Sequence, residues 1–191
     1  MSQPCVLAPV ILFGVIFGLT GRFFAVSLKY AKEKMSRFFR NPYARIGLVS
    51  IPLAIILTLL YQGRYSGLGT NLIAAAFGGQ TIFAYDWLLK ILLTILTLSI
   101  GFQGGEVTPL FSIGASLGVI VGKVFGLPPE VCAALGYAAV FGSATNTLIA
   151  PVLIGLEVFG TDNAVVLVLV CTVAYLVNGN RSIYTAQQLE C

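Results

Sequence analysis

The sequence predicts an all-α integral membrane protein whose helices are of unequal length, several of them tilted, broken or re-entrant. Three observations lead there. Hydrophobic residues make up 58% of the 191-residue chain and charged residues only 9%, with a mean hydropathy of +0.95, far from the balance of a soluble domain. Apolar segments recur along the whole length, and several fall short of the ~20 residues a helix needs to cross ~30 Å of hydrocarbon. Glycine, proline and hydroxyl residues interrupt them, and irregular backbone at membrane depth is tolerated only where protein covers it or a polar cavity adjoins it.

In chain order the apolar segments run Val6 to Leu28, Ile46 to Tyr61, Trp87 to Ile100, Val107 to Leu127, Val131 to Phe141, Leu148 to Phe159 and Val165 to Val177. Between the first two lie six of the eleven cationic residues: Lys29, Lys32, Lys34, Arg37, Arg40 and Arg45. The positive-inside rule places this loop in the cytoplasm. A solvated cytoplasmic loop is the preferred reading over a lipid-headgroup or nucleic-acid site, and the pI of about 9.0 then needs no nucleic-acid partner. The opening Met1-Ser2-Gln3-Pro4 carries no cationic n-region, so no secretory signal is read there. Cys5, Cys132, Cys171 and Cys191 form no C-x-x-C pair, and the chain has no histidine, so neither a metal nor another cofactor is expected.

Of the seven acids, Glu33, Asp86, Glu130, Asp162 and Glu190 sit at segment edges. Glu106 and Glu157 remain in apolar context, where an ionisable group is a functional hypothesis by default. Glu157 reads as structural, held by hydroxyls or backbone near the interface. Glu106 reads as functional because of its neighbours. It stands in Gly101-Phe102-Gln103-Gly104-Gly105-Glu106-Val107-Thr108-Pro109, ahead of an apolar helix, and Pro109 suits that helix's first turn. Glu106 and Val107 then lie at a helix N-terminus, where free N–H groups and the positive dipole end attract an anion and the glycines allow close approach. An ionised carboxylate there repels an anion, so it must be protonated, displaced or exchanging protons. The plainer possibility is that Glu106 caps its own helix.

Further along, Gly114, Gly118 and Gly122 recur every four residues and predict a face where helix backbones pack closely. A second break spans Phe141 to Pro151. Its hydroxyls and amide are expected to satisfy local backbone, with Thr145 or Asn146 as the residues that could line a pathway. Tyr184 follows among polar residues and offers one phenolic donor to an anion or an anchor at the interface.

The segment Gly104-Gly105-Glu106-Val107-Thr108-Pro109 resembles a helix-opening signature of the CLC family of chloride channels and proton-coupled anion antiporters, in its fluoride-exporting form. Chloride-handling members usually carry an apolar residue, then Phe, then a small or apolar residue before the proline; here those positions hold Glu106, Val107 and Thr108. The downstream order agrees: the Gly-x-x-x-Gly helix, a short helix after Pro128-Pro129, a break before Ala150-Pro151, Leu156-Glu157 near a segment end, then a tyrosine. The resemblance covers nearly all of the chain and implies a CLC-like bundle, residues 1–191 being one transmembrane domain and the second of two inverted repeats.

By this resemblance the backbone N–H groups of Glu106 and Val107 coordinate the anion, and the Tyr184 hydroxyl is a further donor. Glu106 and Thr108 act on a gating glutamate that carries a proton. That glutamate belongs to the first-half motifs, including a Gly-Arg-Glu-Gly-Pro-like segment, and these 191 residues lack them, so the chain holds half a site. The implied activity is fluoride/proton antiport across a bacterial inner membrane by a homodimer of the complete protein, with fluoride or chloride, protons and the lipid bilayer as partners and no cofactor.

Two other readings stay open: a chloride or nitrate channel or antiporter of the same family, and a truncated membrane component that does not transport. No enzyme is expected. An intramembrane aspartyl protease needs paired carboxylates, and Tyr85-Asp86 has no counterpart in another apolar segment.

Overall fold

A computed structural model describes residues 4–102 and 104–184, with side chains from residue 8 onward. Among these residues there are eight α-helices and no strand: α1 Pro4–Phe38, α2 Pro42–Leu59, α3 Thr70–Phe77, α4 Asp86–Ile100, α5 Val107–Phe125, α6 Pro129–Thr145, α7 Ile149–Phe159 and α8 Ala164–Asn178. A single 3₁₀ turn, Leu60–Gly63, follows α2. Three helical stretches are long and apolar enough to cross a membrane: Ala8–Phe38, Pro42–Gly63 and Val107–Phe125.

The helix ends follow local chemistry. Asn41 caps α2 by accepting from the N–H of Tyr43 at 3.0 Å, and Pro42 takes the first helical position, where its missing donor costs nothing. Gly101 ends α4 at φ 112°, in the region glycine enters freely, and Asn146 ends α6 at φ 57°.

At the centre α5 lies against α6, and α5 is the most enclosed of the three long stretches. A Cβ on Gly114 would collide with the carbonyl of Gly136, and one on Gly118 with the carbonyl of Cys132. The Gly114-Gly118-Gly122 stripe is therefore a backbone-to-backbone contact, gained through van der Waals packing where lipid offers helices no hydrophobic drive to associate. Phe111 stacks on Tyr137 beside it, ring centroids 4.0 Å apart. A second set of glycines, not singled out from the sequence, does the same for α1: Gly14 and Gly18 meet Val173 and Ala174 of α8, and Gly21 meets Ser143 of α6. Phe13, Phe17 and Phe24 of α1 complete the buried core.

The structure corrects four expectations. The basic run is not a loop: α1 continues to Phe38 and carries Lys29, Lys32, Lys34 and Arg37, while Arg45 lies in the first turn of α2. Hydropathy falls at Leu28, but Ala, Lys, Glu and Met favour helix, so the helix outlasts its apolar part and at 35 residues reaches ~52 Å. Helix α3 was not expected; its eight residues bury Leu72, Ala75 and Ala76 yet form too short a run to stand out. Helix α6 continues through the polar stretch to Thr145. Glu157 is exposed, with no hydroxyl or backbone partner among the described residues; α7 packs through Pro151 and Gly155, and a residue two positions beyond Gly155 falls on the opposite face.

Candidate functional site

The break before α5 is built as the sequence suggests, and its surroundings are new. After α4 stops at Ile100 the described residues Gly101, Phe102, Gly104 and Gly105 are non-helical, and Glu106 is the residue ahead of α5. Val107, Thr108 and Pro109 form the first turn. Helix geometry leaves the N–H groups of this turn without intrahelical acceptors, and Pro109 contributes none, so the donors facing the break are those around Glu106, Val107 and Thr108. The Glu106 side chain does not cap α5. It pairs with Lys32 of α1, Nζ to Oε1 at 3.2 Å.

Arg45 holds the other end of the same segment, donating from Nε to the carbonyl of Ile100 at 2.6 Å. This charge-assisted bond satisfies one of the carbonyls orphaned at the end of α4, where a cation is also favoured by the helix dipole. Lys32 and Arg45, with Ser36, Ser99, Gly104, Gly105 and Glu106, line a cavity of about 720 Å³. Two members of the basic run are thus drawn to the break, and hydropathy alone could not have separated them from the solvated ones.

The second break positions Tyr184. Ser182 donates from Oγ to the carbonyl of Thr145 at 3.0 Å, and the N–H of Ile183 donates to the carbonyl of Ala144 at 2.9 Å, tying the segment after α8 to the end of α6. Asn178 donates to Asn146 Oδ1 at 3.2 Å and to the Arg181 carbonyl at 2.6 Å. Thr145 and Asn146 therefore serve local structure, in line with the structural reading of this stretch. Burial, with the Glu106 carboxylate contributing less, holds the Tyr184 phenol above its ordinary range. Glu106 and Val107 adjoin at the start of α5, Tyr184 is tied by its N–H to Ser182 Oγ at 3.1 Å, and Thr108 is half-buried in the first turn of α5 and makes no hydrogen bond to Glu106.

A buried charged cluster escaped the sequence reading. Asp86, wholly buried at the start of α4, accepts from Tyr65 Oη at 2.5 Å, from Arg64 Nη2 at 2.7 Å and from the Phe83 N–H at 3.0 Å. Burial and the bond to Asp86 hold the Tyr65 phenol above its ordinary range. One turn on, Lys90 is 1% exposed and donates to the carbonyls of Tyr65 and Gly67 at 3.0 and 2.8 Å. The available signal was a lysine inside the apolar segment Trp87 to Ile100, four residues after an aspartate.

Fold and break together define an all-helical membrane protein in which the long apolar helix α5 opens from an interrupted segment. The chain belongs to the voltage gated chloride channel family, whose description matches residues 2–179. It is 35% identical over 190 residues to a chloride/fluoride channel protein of Pseudomonas syringae pv. tomato, covering 94% of this chain and 41% of that protein. It is 24% identical to an H(+)/Cl(-) exchange transporter of Yersinia pestis, covering 92% of this chain and 40% of the other. Its fold matches the crystal structure of a CLC-type fluoride/proton antiporter with a TM-score of 0.95 and 55% identity, over 100% of this chain and 48% of that one. The chain thus spans about half the length of these relatives, and it is an integral membrane protein of all-α, CLC-type fold.

Proposed function

We propose that the protein exchanges fluoride for protons across a bacterial inner membrane as a homodimer, residues 1–191 forming one transmembrane unit that supplies half of the ion path. It acts as a transporter and not as an enzyme, and uses no cofactor. The observation that carries this reading is the displaced Glu106 carboxylate, which heads α5 without capping it and turns to Lys32 instead. Lying over the N–H groups, an ionised carboxylate would repel an anion. Drawn onto an ammonium, it leaves those donors and the positive helix end to the anion. Protonation of Glu106 releases it from Lys32, so a proton and the occupancy of the site are linked through one side chain. Val107 contributes a backbone donor, Tyr184 a phenolic one, and Thr108 acts with Glu106 on the gating glutamate of the other repeat.

Fluoride is favoured over chloride because the solved structure at 55% identity is a fluoride/proton antiporter and the relative at 35% is a chloride/fluoride channel protein, against 24% for the chloride exchanger. The test is the full-length protein in liposomes, read with a fluoride electrode and a pH electrode. Glu106→Gln is expected to abolish proton-coupled fluoride efflux. Unchanged coupled efflux in that variant overturns the role of Glu106, and wild-type chloride efflux exceeding fluoride efflux moves the assignment to chloride.

A further inference from the structure

Lys90 is a buried cation with no carboxylate of its own. An ammonium offers three donors, and the carbonyls of Tyr65 and Gly67 take two of them. The nearest acid along its helix, Asp86, is engaged by Arg64 and Tyr65. The ion pairs among the described residues are Lys32 with Glu106 and Arg64 with Asp86, so no protein charge neutralises Lys90. Tying two carbonyls together requires only a neutral donor, whereas holding an unneutralised charge away from water is costly. Something else must repay that cost.

The cavity beside Lys90 indicates what. It measures about 210 Å³ and is lined by Lys90, Thr94, Thr97, Gly104, Gly105 and Pro109, among others. Gly104 and Gly105 also line the larger cavity that holds Glu106 and Lys32. The glycine pair is therefore shared between the two cavities, with Lys90 on one side and the anion-attracting break on the other. Neither glycine puts a side chain between them, and a Cβ on Gly104 would meet nothing within 4 Å.

We infer that Lys90 is a positioning residue for the transported anion, its buried ammonium acting across the Gly104-Gly105 backbone as the fixed countercharge of an anion at the start of α5. This rests on the anion-site reading above and adds the source of the site's positive potential. Because the charge is enclosed, salt screens it far less than it screens the more exposed Lys32. At an effective dielectric near 20, a unit charge ~10 Å from an anion is worth on the order of tenfold in its affinity.

The experiment is calorimetric titration of the purified full-length protein with sodium fluoride and, separately, sodium chloride, alongside its thermal unfolding midpoint. Lys90→Met removes the charge, Lys90→Gln removes it while keeping an N–H donor for the two carbonyls, and Lys90→Arg keeps it. The expected result is an about tenfold higher Kd in Lys90→Met and in Lys90→Gln for whichever halide the wild type binds, and recovery in Lys90→Arg. If Lys90→Met does not fold, Lys90→Gln carries the test. Wild-type affinity in Lys90→Gln overturns the inference, as does a loss in Lys90→Met that Lys90→Arg does not recover. Binding of chloride alone overturns the fluoride assignment and still tests Lys90; binding of neither halide overturns both.

Discussion

Replacing Asp86 separates charge from hydrogen bonding in the buried cluster at the start of α4. Its Oδ1 accepts from the Tyr65 phenol and its Oδ2 from Arg64 and the Phe83 N–H, and the residue is wholly buried. Asp86→Ala strips all three donors of their acceptor and leaves a guanidinium without its partner, a change of the kind that costs about 3–5 kcal/mol. Asp86→Asn is different. A phenol can accept as well as donate, so the amide NH₂ can face Tyr65 while the amide oxygen keeps both bonds on the Oδ2 side. What is lost is the charge pairing with Arg64, itself partly solvated, for about 1–2 kcal/mol. Unfolding of the full-length protein by SDS titration measures both, and Trp87, the one tryptophan of this chain, reports from the neighbouring position. The ranking expected is wild type, then Asn, then Ala. An Asn variant as unstable as Ala refutes the exchange of roles at Tyr65, and an Ala variant within ~0.5 kcal/mol of wild type refutes a structural role for the cluster.

Gly118→Val drives two methyl groups and a Cβ into the carbonyl of Cys132 and is expected to cost about 1–3 kcal/mol or more, seen as a lower thermal midpoint; an unchanged midpoint contradicts the α5–α6 backbone contact. Gly104→Ala is the converse case, since its Cβ meets nothing within 4 Å: the midpoint stays within the ~0.5 kcal/mol typical of open sites, while halide affinity falls because the methyl group narrows the approach to the break. A stability loss in Gly104→Ala, measured in the same scan, refutes that reading.

Much of the site was legible in local chemistry. A glutamate between a glycine pair and a proline, ahead of an apolar run, defines a helix start whatever surrounds it, and Glu106 and Val107 stand there. The direction of the Glu106 side chain was not legible. Capping and displacement are both open to a carboxylate at that position, and the choice was made by Lys32, 74 residues away. The acids drew attention and the cations did not, so Lys90 was passed over although a lysine in an apolar segment carries the same message as a glutamate.

Composition, segment lengths and the spacing of glycine and proline by themselves determined that the chain is a membrane protein of unequal, interrupted helices, where the break falls, and that α5 packs by its glycine face. These are local properties: helix starts, backbone freedom and transfer of apolar surface depend on residues within a few turns of one another. Only the tertiary structure decided which charges meet, because every such pair bridges separate elements: Lys32 with Glu106, Arg45 with Ile100, Arg64 and Tyr65 with Asp86, Lys90 with the loop of Tyr65 and Gly67. In a membrane protein each buried charge must find a partner or keep a purpose, and the partner is set by how helices cross in three dimensions, which no linear pattern of hydropathy encodes.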